Sequence, residues 1–221
     1  NDAICDCTVC PRLVDYRQMI AREKRKQYRD WNYWGRPVPG FGDPEARLYV
    51  LGLAPAAHGG NRTGRVFTGD RSGDWLYEAL HRHGFSNQAS STHRDDGMAL
   101  TDCYIGATVR CAPPDNKPLP DEFERCSRFV QEEVRLLKNH CVVIALGKIA
   151  FDHYLKTCKR HGHVMPSPAL KFGHGVEYRL PWGVTLLGSY HPSQQNTFTG
   201  KLTRPMFHAV FRKAKQSIEG H

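Results

Sequence analysis

Short apolar runs alternate with longer amphipathic stretches along most of the chain. Four regions rich in valine, leucine and isoleucine have the length and composition of buried strands. They lie at residues 48–51, 98–109, 141–147 and 176–188, and a Pro-Trp-Gly sequence interrupts the last of them. The pattern therefore predicts four strands that follow one another at wide spacing.

The stretches between these runs have helical character. After the first strand, Ser72 or Asp74 is placed to cap a helix that ends near residue 83, where Gly84 stops it. Pro120 suits the first position of another helix. The predicted helices cover residues 12–33, about 72–83, 120–139, 148–160 and 205–218. Regular alternation of strands and helices predicts a single α/β domain at residues 1–221, with a mostly parallel sheet and helices on both faces.

Composition and charge narrow the class of protein. The 221 residues are 40% hydrophobic and 24% charged, which indicates a globular domain with a sizeable core. No apolar run approaches the ~20 residues that cross a bilayer, and no secretory signal opens the chain. We therefore expect a cytoplasmic protein with no membrane partner. The net charge of +9 favours a polyanionic partner such as nucleic acid.

A long glycine-rich loop follows the first predicted strand. It reads GLAPAAHGGNRTGRVFTGD over residues 52–70 and contains five glycines and one proline. In open α/β sheets ligands bind at the carboxyl ends of the strands, and glycine lets a ligand approach the backbone closely. An ordinary polar crossover loop is the alternative interpretation. The loop's polar and aromatic side chains include His58, Asn61, Arg62, Arg65, Phe67 and Asp70.

Two further polar loops, at residues 110–118 and 189–203, follow other predicted strands. Because parallel strands place their carboxyl ends at one edge, the three loops are expected to share a pocket. Taken singly, Asn116 would be interpreted as a turn residue and His191 as a structural histidine before a proline. The convergence of three loops favours a functional site instead. The side chains expected there are Phe67, Asp70, Asn116, His191 and Asn196.

The spacing of the cysteines predicts a metal centre in addition to the pocket formed by the three loops. Eight cysteines in a chain that is expected to be intracellular favour metal binding or reactive thiols over disulfides. Cys7 and Cys10 form a C-x2-C pair, and fourteen residues separate Cys111 from Cys126. Four thiolates suit zinc or a [4Fe–4S] cluster. A zinc ribbon would normally have two tight pairs, which makes zinc the weaker interpretation, and Cys5 remains an alternative ligand to Cys7.

Together these motifs resemble family 5 uracil-DNA glycosylases, the B type of the iron–sulfur glycosylases. The resemblance rests on the 52–70 loop, on RCAPPDNKPLP, on HPSQQNTFTGKLT and on the C-x2-C…C-x14-C spacing, and spans residues 7–203. It implies a central parallel four-stranded sheet between helices, with the site at the strands' carboxyl ends. It also implies a DNA repair enzyme of base excision, expected to be a nucleoid-associated monomer of prokaryotic type, and a [4Fe–4S] cluster on Cys7, Cys10, Cys111 and Cys126.

One position departs from the wider superfamily. Many relatives hold a polar residue in a Gly-x-Asp/Asn-Pro pattern that positions water, whereas this chain has Ala54 there, between Gly52 and Pro55. Family 5 shows the same apolar substitution, which argues against the neighbouring family 4. Alanine cannot hold or activate water, so Asp70 becomes the candidate for that role. The apolar position also leads us to expect activity on other deaminated bases, hypoxanthine included.

The resemblance and the residue chemistry together assign roles. Asp70 would orient or deprotonate water. His191 would donate to uracil O2 as the leaving group becomes anionic. The remaining substrate-binding candidates are Gly52, Ala54, His58, Asn61, Phe67, which would stack on the base, Asn116, which would pair with uracil O4 and N3–H, and Asn196.

Residues at the loop surfaces are predicted to contact DNA. Arg62, Arg65 and Lys201 would meet the backbone, and Leu202 would act as a wedge in the base stack. The expected partner is double- or single-stranded DNA that contains uracil or another deaminated base. A competing interpretation from a different class is a metal-stapled nucleic-acid-binding protein without catalysis.

Overall fold

Four parallel strands form the centre of the protein. The computed structural model describes residues 1–220. The sheet has the order β1-β3-β2-β4-β6-β5, in which the inner four strands are parallel and each outer strand pairs antiparallel with its neighbour. The predicted parallel four-stranded core is confirmed, and two short edge strands make the sheet six-stranded. The strands are β1 Phe41–Gly42, β2 Leu48–Gly52, β3 Cys103–Ala107, β4 Val142–Leu146, β5 Glu177–Arg179 and β6 Thr185–Ser189.

The edge strands explain where the strand prediction was wrong. Residues 176–188 were expected to be one interrupted strand, but they fold as a hairpin of β5 and β6. Gly183 has φ 90°, which glycine tolerates, and its amide donates to the Leu180 carbonyl at 3.0 Å to close the turn. The Pro-Trp-Gly sequence is therefore a reversal of the chain and not an irregularity within one strand.

Eight α-helices lie among the described residues. They are α1 Asp2–Cys5, α2 Pro11–Glu23, α3 Gly60–Thr63, α4 Arg71–Arg82, α5 Pro120–Leu136, α6 Lys148–Arg160, α7 Gln194–Phe198 and α8 Arg204–Glu219. The helix predicted over residues 12–33 ends at Glu23, because Lys24 takes a positive φ of 53° that a helix cannot continue. Asp70 caps α4, which corrects the assignment of that cap to Ser72 or Asp74.

Alternating side chains of the central strands supply two cores. In β2, Leu48 and Val50 point to the face covered by α4 and α8, while Tyr49 and Leu51 point to the face covered by α5 and α6. Strands β2, β4 and β6 are buried along their whole length and β3 is buried except at Tyr104, as expected for parallel strands with helices on both faces. The prediction of helices on both faces is confirmed. In the portion described, none of the helices combines the length and apolarity needed to cross a bilayer.

Candidate active site

Phe67 and His191 meet beyond the carboxyl ends of the parallel strands. Their ring centroids are 5.9 Å apart and their planes differ by 30°, which is a stacked arrangement. Phe67 belongs to the loop after β2, and His191 follows β6 by two residues. Two of the three predicted loops therefore converge, as the parallel topology requires.

The backbone at Phe67 is strained to place its ring. Phe67 has φ 51°, a left-handed conformation that is unusual for an aromatic residue. Its ring lies against Gly52, where an added Cβ would approach Phe67 Cζ to 2.7 Å. Only glycine leaves room for the ring at the end of β2. Strain of this kind concentrates at ligand sites, where the surrounding structure maintains it.

Asp70 is both the N-cap of α4 and the candidate catalytic carboxylate. Its side chain accepts a hydrogen bond from the Gly73 amide at 3.0 Å, which satisfies an otherwise free helical donor. The carboxylate also lies against Gly59, where any larger side chain would collide with it. Burial raises the pKa of Asp70 above its ordinary value, and the backbone amides of Gly73 and Ser72 oppose that rise. The helix thus fixes a carboxylate three residues after Phe67.

His191 is held as a neutral imidazole. Burial lowers the pKa of His191 to about 4, so the ring carries no charge near neutral pH. Asn196, the third residue of α7, donates from its side-chain amide to the His191 carbonyl at 2.8 Å. Ser193 caps α7 by accepting from the Asn196 backbone at 3.4 Å. Asn196 therefore supports the position of His191, and its role in substrate binding stays a prediction.

Asn116 lies at an exposed turn between β3 and α5. Asp115 and Asn116 both have positive φ, 55° and 56°, a conformation that asparagine and aspartate adopt more readily than other side chains. Within residues 1–220 the Asn116 side-chain amide makes no hydrogen bond, which leaves both its donor and its acceptor for a ligand. Its pairing with uracil stays a prediction.

Two polar residues of the 52–70 loop are structural, which corrects their predicted roles. Asn61 is fully buried, and its amide donates to the Arg17 carbonyl of α2 at 3.1 Å. Arg62 is also buried, with its guanidinium 4.0 Å from the Tyr28 ring and 4.1 Å from the Trp31 ring. These contacts attach the loop to the N-terminal segment, although Asn61 Oδ1 and Arg62 Nη1 have no hydrogen-bond partner among the described residues.

Arg65 is a third buried residue whose predicted role is corrected. Its guanidinium forms an ion pair with Asp96 and a hydrogen bond to Ser91 Oγ at 2.6 Å. A carboxylate, a hydroxyl and backbone carbonyls already accept from this side chain, so it has no free face for a phosphate. Arg65 instead ties the glycine-rich loop to residues 91–96.

The 189–203 loop includes Leu202, whose predicted role is corrected, and Phe198, which the sequence analysis missed. Leu202 is 1% exposed and belongs to the core beneath α8, so it is not a surface wedge. Lys201 is exposed, with Nζ 4.9 Å from the Tyr190 ring centroid, and its DNA contact stays a prediction. Phe198 is 66% exposed at the end of α7. A single aromatic within the polar sequence HPSQQNTFTGK was the signal that could have identified it.

His58 lies in the glycine-rich loop and contacts Tyr33. The Tyr33 hydroxyl and His58 Nδ1 are 2.9 Å apart, and burial with nearby Arg25 and Arg62 lowers the pKa of His58. The histidine is half-buried, so its predicted part in substrate binding stays a prediction. Tyr33 was not anticipated, because its contact joins segments that are distant in sequence.

Cys7, Cys10, Cys111 and Cys126 line one small cavity with Leu13 and Val109. All eight cysteines of the chain are free thiols. Cys5 does not line this cavity, which favours Cys7 over Cys5 as a ligand. Within residues 1–220, no three cysteine, histidine or carboxylate side chains are arranged to hold a single metal ion. The four cysteines therefore share one cavity.

A metal centre would change the protonation of the buried thiols in this cavity. Burial raises the pKa of Cys111 to about 12 and that of Cys126 to about 11, so both are neutral in the protein alone. A metal centre requires thiolates and would displace their protons. The Arg110 amide donates to Cys126 Sγ at 3.3 Å, which is suited to a sulfur that carries negative charge. Ala54 packs against this cysteine group and so links it to the end of β2.

Comparison with known proteins places the chain within one family. The family model described as "Uracil DNA glycosylase superfamily" matches residues 39–215, which include Phe67, Asp70, Asn116 and His191. A type-5 uracil-DNA glycosylase of Mycobacterium tuberculosis is 51% identical over 217 residues, which cover 98% of this chain and 80% of that protein.

Two further relatives show whether the chain is more similar to type-5 or to type-4 uracil-DNA glycosylases. A type-5 uracil-DNA glycosylase of Thermus thermophilus is 50% identical over 210 residues, or 95% of this chain and 93% of that protein. A type-4 uracil-DNA glycosylase of Thermotoga maritima is 31% identical over 156 residues, or 70% of this chain and 64% of that protein. The similarity is thus greater and more extensive to the type-5 proteins, as Ala54 predicted.

Proposed function

Because the chain belongs to the type-5 uracil-DNA glycosylases of the uracil DNA glycosylase superfamily, we propose that it excises uracil from DNA by hydrolysing the base–deoxyribose bond. The observation that carries this proposal is the stacking of Phe67 on His191 at the strand ends, with the Asp70 carboxylate fixed three residues after Phe67. Release of free uracil from a uracil-containing oligonucleotide tests it.

The target base must leave the helix before any of these residues can reach it. Flipping a base out of a duplex costs a few kcal/mol, less when the base is mismatched or already single-stranded. The Phe67 ring offers a stacking surface beside Gly52, and the exposed Asn116 amide supplies one donor and one acceptor for the O4 and N3–H edge. The substrate is therefore uracil in double- or single-stranded DNA.

Bond cleavage places charge on both sides of the breaking bond. As N1 leaves C1′, the uracil becomes anionic and the sugar becomes oxocarbenium-like. The neutral His191 imidazole donates a hydrogen bond to uracil O2, where the negative charge develops. The Asp70 carboxylate orients water toward C1′ and favours the positive charge on the sugar. Water supplies a hydroxyl group to C1′ and a proton to the base, so the products are free uracil and an abasic site.

Asn116 and Phe67 are expected to control base recognition. Asn116→Ala should weaken the preference for uracil over cytosine, since the groups that read the base edge are lost. Phe67→Ala should slow uracil release by the equivalent of ~1–3 kcal/mol, the usual contribution of stacking to one base. Single-turnover rates on uracil-containing DNA measure both effects, and Phe67→Tyr, which keeps the ring, is the matched control. Wild-type rates in both alanine variants would contradict this placement of the pocket.

The residue at position 54 bears on substrate breadth. Ala54 lies at the end of β2 with no polar atom to read a base or hold water. One group that could reject a different base is therefore missing at this position. We propose that other deaminated bases, hypoxanthine included, are also released.

The four cavity cysteines are proposed to hold a [4Fe–4S] cluster. Cys7 and Cys10 come from the N-terminal segment, while Cys111 follows β3 and Cys126 lies in α5. When bound, the cluster would supply structural cross-linking between these segments and take no part in base release. Its ligands would thereby fix the turn that carries Asn116.

Metal analysis tests the cluster. The purified protein should contain iron and acid-labile sulfide in equal amounts, and Cys126→Ala should lose both, since one of four ligands is removed. Cys5→Ala should retain both, because Cys5 does not line the cavity. Stoichiometric zinc without sulfide in protein prepared without oxygen would show that the cluster assignment is wrong.

A further inference from the structure

The segment at residues 172–176 lies beside the end of β6, the strand that leads to His191. The Gly175 amide donates to the Gly188 carbonyl at 2.8 Å. A Cβ added at Gly188 would approach the Gly173 carbonyl oxygen to 2.5 Å, so glycine at this position lets the segment pack directly on the strand. The segment is therefore held against the last turn of the path to His191 by its backbone.

The backbone amide of Tyr190 is bound by a side chain of this segment and not by a neighbouring strand. The paired residues of β4 and β6 end at Leu146 and Ser189, and Tyr190 is the next residue of the chain. His174 Nδ1 accepts a hydrogen bond from the Tyr190 amide at 3.1 Å. A half-buried backbone amide needs such a partner once the strand ladder stops, and His174 supplies it.

Side chains also bind the next two carbonyl groups of the backbone. Ser189 Oγ donates to the Tyr190 carbonyl at 3.0 Å, and the Asn196 side-chain amide donates to the His191 carbonyl at 2.8 Å. Together with the bond to His174, these contacts involve three consecutive peptide groups. The path of the backbone through His191 thus depends on three side chains, and His174 is the one from outside the 189–203 loop.

The His174 ring is fixed in position and in its hydrogen-bonding state. Its centroid lies 5.1 Å from that of the Tyr190 ring, and the two planes differ by 33°. Because Nδ1 accepts a hydrogen bond, the neutral ring carries its proton on Nε2. Burial lowers the pKa of His174, against an opposing contribution from the Met206 backbone in α8, so Nδ1 stays free to accept near neutral pH.

We propose that His174 is a positioning residue for uracil release, which holds the backbone before His191 so that the imidazole stays stacked on Phe67 and directed at the leaving base. This inference rests on the proposed function and extends it to a residue outside the three loops of the site. His174 itself contacts neither DNA nor the base in this account. Its loss should therefore lower the rate through His191 and leave DNA binding unchanged.

Single-turnover uracil release by three variants tests the hydrogen bond. His174→Ala should slow release about 10–100-fold, because a small displacement of a catalytic group costs that much in rate. His174→Asn should restore most of the rate, since the asparagine Oδ1 can accept from the Tyr190 amide in place of Nδ1. His174→Phe keeps an aromatic ring beside Tyr190 but cannot accept, so it should be as slow as His174→Ala.

His163→Ala is the matched control. His163 is also a half-buried histidine against an aromatic ring, 4.4 Å from that of Trp182 between centroids. Trp182 lies in the turn between β5 and β6, at the opposite end of β6 from His191. This variant should release uracil at the wild-type rate. DNA affinity, measured separately, should match the wild type in all four variants.

A double variant separates action through His191 from a general loss of structure. His174→Ala should slow the His191→Ala protein far less than it slows the wild type, because the donor that it positions is already absent. Equal slowing in both backgrounds, or a wild-type rate in His174→Ala, would overturn the positioning role.

Thermal unfolding shows whether each variant is folded at the assay temperature. If His174→Ala is not folded, the comparison of His174→Asn with His174→Phe decides, and equal rates in those two would overturn the role of the hydrogen bond. Wild-type protein that releases no uracil would instead remove the proposed function, and this inference with it.

Discussion

Asp70→Asn is expected to lower the single-turnover rate of uracil release by about 10²–10⁴-fold, the usual contribution of a positioned base. The variant should remain nearly as stable as the wild type. Asparagine caps helices about as well as aspartate, so the hydrogen bond from the Gly73 amide to α4's cap is retained. What is lost is the negative charge that orients water and favours the oxocarbenium-like sugar.

Comparison with Asp70→Ala separates the two roles of this residue. Alanine removes the cap as well as the charge, so Asp70→Ala should lose about 1 kcal/mol of stability in addition to activity. Thermal or denaturant unfolding measures the first effect and single-turnover kinetics the second. If Asp70→Asn kept the wild-type rate, Asp70 would be a helix cap alone and the water-positioning role would be wrong.

His191→Ala is expected to slow uracil release by about 10²–10³-fold, as for the loss of one donor to a developing anion. The ring is stacked on Phe67 and neutral, so the donor is an imidazole N–H and not an imidazolium. DNA binding, measured separately, should change far less than the rate, because the hydrogen bond strengthens only as the uracil becomes anionic. Equal losses in binding and in rate would assign His191 to binding.

The dependence of rate on pH checks the charge state of both groups. Because the pKa of His191 is lowered to about 4, the imidazole stays neutral as pH falls from 8 to 6 and its contribution is unchanged. Burial raises the pKa of Asp70, so its carboxylate takes up a proton at a higher pH than an exposed aspartate would, and the rate should fall as it does so. A rate that rises as the solution becomes more acidic would indicate an imidazolium donor.

The sheet and the convergence of its loops could be predicted because they depend on local patterns. Apolar runs and their spacing were sufficient for the four central strands, and parallel pairing then brings the loops to one edge. The contact between Phe67 and His191 follows from that topology. The edge strand β5 could not be predicted in the same way, because its pairing depends on how the turn at Gly183 reverses the chain.

The roles of individual polar residues were harder to predict from sequence. Arg62 and Arg65 have the residue type of a phosphate contact, yet both are buried by partners that lie far away in sequence. Leu202 and Phe198 are four residues apart on one loop, and only the fold shows that the first faces the core and the second faces solvent. Burial depends on tertiary packing, which residue type and loop position do not determine.

The most direct test of the account is release of free base from a uracil-containing oligonucleotide under single-turnover conditions, with wild-type protein and an Asp70→Asn, His191→Ala double variant. The account predicts free uracil and an intact strand with an abasic site from the wild type, and almost no release from the double variant, whose DNA affinity is retained. DNA bound by the wild type without release of uracil, or release by the double variant at the wild-type rate, would contradict it.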